Sequence, residues 1–130
     1  MVKTSPPEGV AVMELCVLFL ADKHIGELRA YDVRGVSSLT DYYLVGTARN
    51  ERQMKAAGQN VTRQMKKIGI RALHQDGQIG GNWVVLDYVD CIVHLFNPEM
   101  RARYDIEAMW RTHEIPVPQP DPRLHGGAQP

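Results

Sequence analysis

Three aspartates, Asp41, Asp87 and Asp90, stand on or beside runs of strand-forming residues, where paired carboxylates could hold magnesium for nucleotidyl or phosphoryl transfer. That chemistry also needs a Gly-Ser turn leading into two acids at D-x-D spacing, or a G-x-x-x-x-G-K-[ST] phosphate loop. The chain has neither, so the three acids read as strand-end and turn carboxylates, and a transferase is kept only as the competing class. Cys91 and His94 would suit a thiol-imidazole dyad. Three residues apart on one extended strand, however, they point to opposite faces, which makes Cys91 a buried thiol and His94 a packing or hydrogen-bonding imidazole. His24, His74, His113 and His125 show no H-x-x-x-H or H-E-x-x-H spacing, so no metal and no cofactor is expected.

Two further groups of residues suit binding rather than catalysis. Between Arg49 and Arg71 there are seven basic residues and one acid, Glu51, while Ala72 to Trp110 holds two basic residues and six acids. The basic stretch could meet phosphates through salt-sensitive contacts, or simply form a solvated helix face, since it carries no interleaved aromatics. Trp83, Tyr88, Phe96, Tyr104 and Trp110 gather aromatic mass in the last third. Most must be core, and some could form an exposed anchor for a partner.

The elements that position these residues can be read from periodicity. Val12, Leu15, Cys16, Phe19 and Leu20 recur at helical spacing, predicting a first helix that stops near His24 to Gly26. Glu27 to Val33 and Asp41 to Ala48 predict two strands joined by a turn. Asn50 is a suitable N-cap for a long helix ending at Gly69. At 100° per residue Met54, Ala57, Val61, Met65 and Ile68 share one arc of that helix, and Arg52, Lys55, Gln59, Arg63, Lys66 and Lys67 lie opposite. Ile70 to His74 predicts a brief strand, followed by a glycine-bearing loop from Gln75 to Asn82. Trp83 to Asp87 and Cys91 to Phe96 predict a tight hairpin. Asn97-Pro98-Glu99 predicts a helix start, with that helix running to about Arg111.

At 130 residues, the length suits one domain of roughly 100 residues with tails: a loose leader over 1–9, a domain over 10–112 and a proline-rich, disordered tail over 113–130, where Pro116, Pro118, Pro120 and Pro122 exclude most regular hydrogen bonding. Fifteen basic and fifteen acidic residues balance, so the whole-molecule basic field of a dedicated nucleic-acid binder is missing. No apolar run is long enough to cross a bilayer. Leu15 to Ala21 follows Glu8 and Glu14 rather than the basic residues of an export signal. Two distant cysteines suggest neither zinc knuckle nor disulfide framework. A soluble protein of a reducing cytoplasm is expected.

The order of the pieces resembles one family closely: Asp32-Val33-Arg34-Gly35 with Ser37-Ser38, Thr40-Asp41-Tyr42, Arg52 to Asn60, Trp83-Val84-Val85-Leu86-Asp87, His94-Leu95-Phe96, then Arg101, Tyr104, Glu107 and Trp110. This is similar to the ribosomal silencing factors (RsfS, also called Iojap) over about Val12 to Trp110. The resemblance implies an α/β fold, a mixed β-sheet with flanking helices like the nucleotidyltransferases but without their catalytic motif, and no enzymatic activity. It implies a translational repressor that binds the large ribosomal subunit, chiefly its ribosomal protein numbered fourteen, and blocks joining of the small subunit. Trp83, Val84, Asp87, Tyr88 and Arg101 are the expected ribosome-binding residues, with the basic helix as a possible contact to ribosomal RNA. The oligomeric state stays open, a homodimer being compatible with an exposed apolar patch that pairs with itself. Two departures stand out. Ile106 and Met109 replace usual leucines, and Val89 stands where the family commonly has Gly. A β-branched residue is costly at positive φ, so this turn is expected to differ in type and to shift Tyr88.

Overall fold

The computed structural model describes residues 9–77 and 82–119. The leader residues 1–8, residues 78–81 of the expected glycine loop and residues 120–130 of the expected tail lie outside the described residues. Among those described, helix α1 (Gly9–Ala21) precedes strands β1 (Gly26–Asp32) and β2 (Tyr42–Thr47), helix α2 (Glu51–Lys67), strands β3 (His74–Asp76), β4 (Trp83–Asp87) and β5 (Cys91–Phe96), helix α3 (Pro98–Tyr104), a 3-10 helix (Ile106–His113) and strand β6 (Glu114–Ile115).

The six strands form one mixed sheet in the order β3-β4-β5-β2-β1-β6. β2 and β5 pair in parallel and every other neighbouring pair is antiparallel. A parallel pair cannot be joined by a tight turn and needs a crossover, which α2 and the β3–β4 segment supply. The sheet centre is the most apolar part: every residue of β2 is buried, as expected where both faces are covered.

On one face α1 and α2 bury Met13, Cys16, Leu20, Met54, Val61 and Met65 against Leu44, Val84, Leu86, Val93 and Leu95. The amphipathic pattern of α2 works as its sequence predicts, with Met54, Ala57, Val61 and Met65 buried. Asn50 accepts the Gln53 amide at 2.8 Å. Gly69 takes φ 87 just past the helix, the left-handed turn that glycine makes at little cost. Ile68 differs from expectation: it is the C-cap and half exposed. Buried Asn60 is satisfied across the helix pair, its amide donating to the Phe19 carbonyl at 2.8 Å.

Three boundaries depart from the sequence reading. The strand expected over Ile70 to His74 is at His74–Asp76, because Ile70 and Ala72 pack against the helix-side core and only Leu73 begins pairing, donating to the Asp87 carbonyl. The last helix is not continuous to Arg111. It stops at Asp105, whose φ is 42, and resumes as the 3-10 helix. Regular structure also continues beyond residue 112, since Glu114–Ile115 pairs with Ala30 and Tyr31 at the sheet edge, while Ile115 and Val117 pack on the helix-side core.

Candidate protein-docking face

The second face of the sheet is covered only by α3 and the 3-10 helix. Strand alternation brings Tyr31 and Val33, Tyr43 and Val45, Ile92 and Phe96, and Trp83 and Val85 to this side, where Met100, Ile106 and Trp110 pack on them. Trp110 stacks on Tyr43 with ring centres 3.8 Å apart and planes at 11°. His94 lies among Tyr43, Trp83, Phe96 and Trp110 at 5.6 to 6.1 Å. The Trp83 indole N–H donates to His94 Nδ1 at 3.2 Å, so the imidazole must be neutral with its proton on Nε2. Burial holds the His94 pKa down at about 4, against a smaller opposing pull from the Glu107 carboxylate.

A polar lock fastens the covering segment to the sheet. The Arg101 guanidinium grips Glu107 with two hydrogen bonds of 2.8 and 2.9 Å, and its third nitrogen donates to the Glu27 carbonyl and the Thr47 hydroxyl, both at 2.7 Å. The Tyr31 hydroxyl donates to the second Glu107 oxygen at 2.6 Å. Burial alone would raise the Glu107 pKa, but the hydrogen bonds from Arg101 and Tyr31 outweigh it and hold the carboxyl below its ordinary value. Burial and the Glu107 carboxylate push the Tyr31 hydroxyl well up.

The five residues expected to bind the ribosome therefore play different parts. Trp83 is half buried and borders a shallow cleft of about 210 Å³ with Asp76, Gly77 and Val85. Tyr104, its ring 6.1 Å from Trp83, is exposed on the covering segment, which also carries the exposed Met109. Asp87 is partly exposed and accepts the Val89 amide at 2.8 Å. Val84 and Tyr88 face the opposite way, buried under the helices, and Arg101 is spent on the internal lock. Of the five, Val84 and Tyr88 are buried, Arg101 is partly exposed but tied into the lock, and Trp83 and Asp87 are partly exposed outside it.

The turn beyond Asp87 differs from the expectation that Val89 would change it. Val89 retains a positive φ of 72 despite its β-branch, held by the Asp87 carboxylate and by the Thr40 hydroxyl, which donates to the Val89 carbonyl at 2.8 Å. Tyr88 stays in the core, its hydroxyl buried without a hydrogen-bond partner among the described residues and its pKa raised by burial.

The residues weighed for catalysis are dispersed. Cys91 is fully buried beside Cys16 on the helix side, with its thiol pKa raised by the hydrogen bond to Cys16 and by burial, and His94 is on the far face. Among the described residues no three His, Cys, Asp or Glu side chains are grouped to hold a metal ion. Sequence reasoning missed that Tyr31, Tyr43, His94 and Trp110 converge. The available signal was the period-two spacing of Tyr31 with Val33 and Tyr43 with Val45, which places each pair on one face.

The profile of the family described as ribosomal silencing factor during starvation matches residues 6–128. A ribosomal silencing factor RsfS from Haemophilus influenzae is 34% identical over 80 residues, covering 62% of this chain and 78% of that protein. Another from Zymomonas mobilis is 32% identical over 99 residues, covering 76% and 74%. A crystal structure of a Chromobacterium violaceum protein superposes with a TM-score of 0.78 at 29% identity, over 88% of this chain and 92% of the other.

Proposed function

The chain belongs to the ribosomal silencing factor family, and from that premise we propose that it is a translational repressor that binds the large ribosomal subunit and sterically prevents the small subunit from joining. The family is by name regulatory rather than catalytic, and the repressor acts in the cytoplasm. No helix among the described residues is long and apolar enough to cross a membrane.

The observation that carries the docking site is the incompletely covered aromatic face. Trp83, half buried and held by His94, is the anchor, with Val85 and Tyr104 beside it and Asp87 at the strand end. Tryptophan and tyrosine are enriched where interfaces concentrate their binding energy. Val84 and Tyr88 support this hairpin from its core side and Arg101 from the covering segment, so their substitution acts on docking through the shape of the face. The partner we assign to the face is the large-subunit ribosomal protein numbered fourteen. Ribosomal RNA is the second partner, met by the basic side of α2.

Sedimentation with separated ribosomal subunits tests the reading. The purified protein is expected to pellet with large subunits and to remain in the supernatant with small ones. Pelleting with neither, or equally with both, would overturn it.

A further inference from the structure

The basic side of α2 borders a cleft of about 430 Å³ between the C-terminal half of α2 and the chain leading into β3, lined by Thr62, Arg63, Lys66, Arg71, Ala72 and Gln75. Three cations meet there. The four ion pairs among the described residues occupy Arg29, Arg34, Arg101 and Arg111, so Arg63, Lys66 and Arg71 have no carboxylate partner. Arg63 is steadied by a hydrogen bond to the Asn60 side-chain oxygen at 3.2 Å. Three unneutralised cations converging on a concave surface make a site for a polyanion.

The lining also says what kind of anion fits. Thr62 donates its hydroxyl to the carbonyls of its own helix, leaving guanidinium and ammonium groups as the main donors, the usual partners of phosphate oxygens. Among the described residues no aromatic ring lines the cleft on which a base could stack, and none of the lining residues is a glycine that would cradle the phosphates of a single nucleotide. Backbone phosphates of a larger nucleic acid are what remain. Lys55 continues the exposed basic side along α2, about 16 Å from Lys66 at 1.5 Å per residue, so the surface can follow a strand over several phosphates.

Position links this cleft to docking. Gln75 borders the basic cleft and Asp76, the next residue of β3, borders the cleft beside Trp83. β3 is an edge strand, so the two clefts flank the same sheet edge from opposite faces. We propose that Arg63, Lys66 and Arg71 form a phosphate-binding cleft for the ribosomal RNA backbone, engaged while the Trp83 face meets ribosomal protein. This rests on the docking reading above for the identity of the RNA.

The test measures fluorescence anisotropy of a fluorescein-labelled RNA hairpin against the full chain and its Arg63→Gln/Lys66→Gln/Arg71→Gln variant over a range of salt. All three side chains are exposed, and a thermal melt establishes that the variant is folded. Each phosphate contact adds about one unit to the log-log salt slope. The triple variant is therefore expected to bind on the order of a hundredfold more weakly at 0.15 M salt, with a slope shallower by about 2 to 3. Arg29→Gln, at the opposite sheet edge, should bind as the wild type does. A folded triple variant with unchanged affinity and slope, or a wild type that does not bind the hairpin, overturns the cleft. Pelleting in parallel separates the two ideas: an unchanged RNA affinity in the variant with normal large-subunit pelleting of the wild type removes the cleft and leaves docking. Loss of RNA binding in the variant supports the cleft even where the wild type fails to pellet with subunits.

Discussion

Val89 occupies φ 72, where the Cβ of an L-residue crowds the following carbonyl at roughly 1 to 2 kcal/mol. Val89→Gly should relieve that strain, partly offset by the greater freedom of glycine in the unfolded chain, for a net gain of about 1 kcal/mol. A thermal melt checks it, and an unchanged or lower melting temperature would show that the Asp87 and Thr40 contacts make the conformation costless. Trp83 is the proposed docking anchor. Trp83→Ala should keep the fold, because the side chain is half buried, while weakening large-subunit affinity by about 2 kcal/mol or more, roughly 30-fold. A folded variant with undiminished pelleting would exclude the anchor. Alternation along β4 was legible before any coordinates: it put Trp83, Val85 and Asp87 on one face and Val84, Leu86 and Tyr88 on the other. Which face the long helices cover was not legible, because both are apolar and the choice depends on how α1 and α2 pack across the whole sheet.

At the scale of elements, the segment from α3 through the 3-10 helix is held to the sheet by the Arg101–Glu107–Tyr31 lock and by the packing of Met100, Ile106 and Trp110. Neither α3 nor the 3-10 helix has a buried apolar residue, so much of its attachment is polar. Arg101→Ala strands the Glu107 carboxylate, which is 8% exposed, and a buried charge left without its partner costs about 3 to 5 kcal/mol. Urea unfolding should show a loss of that order; a loss below 1 kcal/mol would mean the segment is held by its aromatics alone. The start at Asn97-Pro98-Glu99 suggested one continuous helix running to about Arg111. It failed at Asp105 because the tertiary gain of joining Glu107 to Arg101 and stacking Trp110 on Tyr43 exceeds the cost of breaking the helix, and Tyr43 is far from Trp110 in sequence. The same face predicts a pH dependence. His94 is held at about 4 by burial, below the roughly 6.5 of an unfolded histidine, so the unfolded chain binds its proton first. Its contribution is complete above pH 6.5, falls as the pH drops toward 4, and is flat below. The depressed Glu107 adds a further loss below the ordinary carboxylate range. Melting temperature should therefore begin to fall near pH 6.5 in the wild type. In His94→Gln, which retains an acceptor for Trp83 but no titrating ring, that first decline should disappear; its persistence would assign the decline to another group.

For the molecule as a whole, a formal net charge of zero conceals an uneven distribution of character between sheet faces. The amphipathic α2 directs its cations outward on one side of the sheet, and the aromatic face on the other side carries the Trp83 cleft. Both border the β3 edge. The segregation of charge was visible in the sequence, as was the absence of a transferase motif. That the basic and aromatic surfaces share an edge was not, since it follows from β3 pairing beside β4 rather than from any local pattern. An edge bearing both surfaces suits a partner made of protein and RNA, and occupation of that partner's subunit-facing side would make silencing a matter of exclusion. Subunit association followed by light scattering tests this most directly. Large subunits preincubated with the protein and then mixed with small subunits should show a joined fraction that falls as the protein saturates its site, and Trp83→Ala should restore joining at the same concentration. Normal joining on large subunits shown by pelleting to be saturated with the protein would contradict the account.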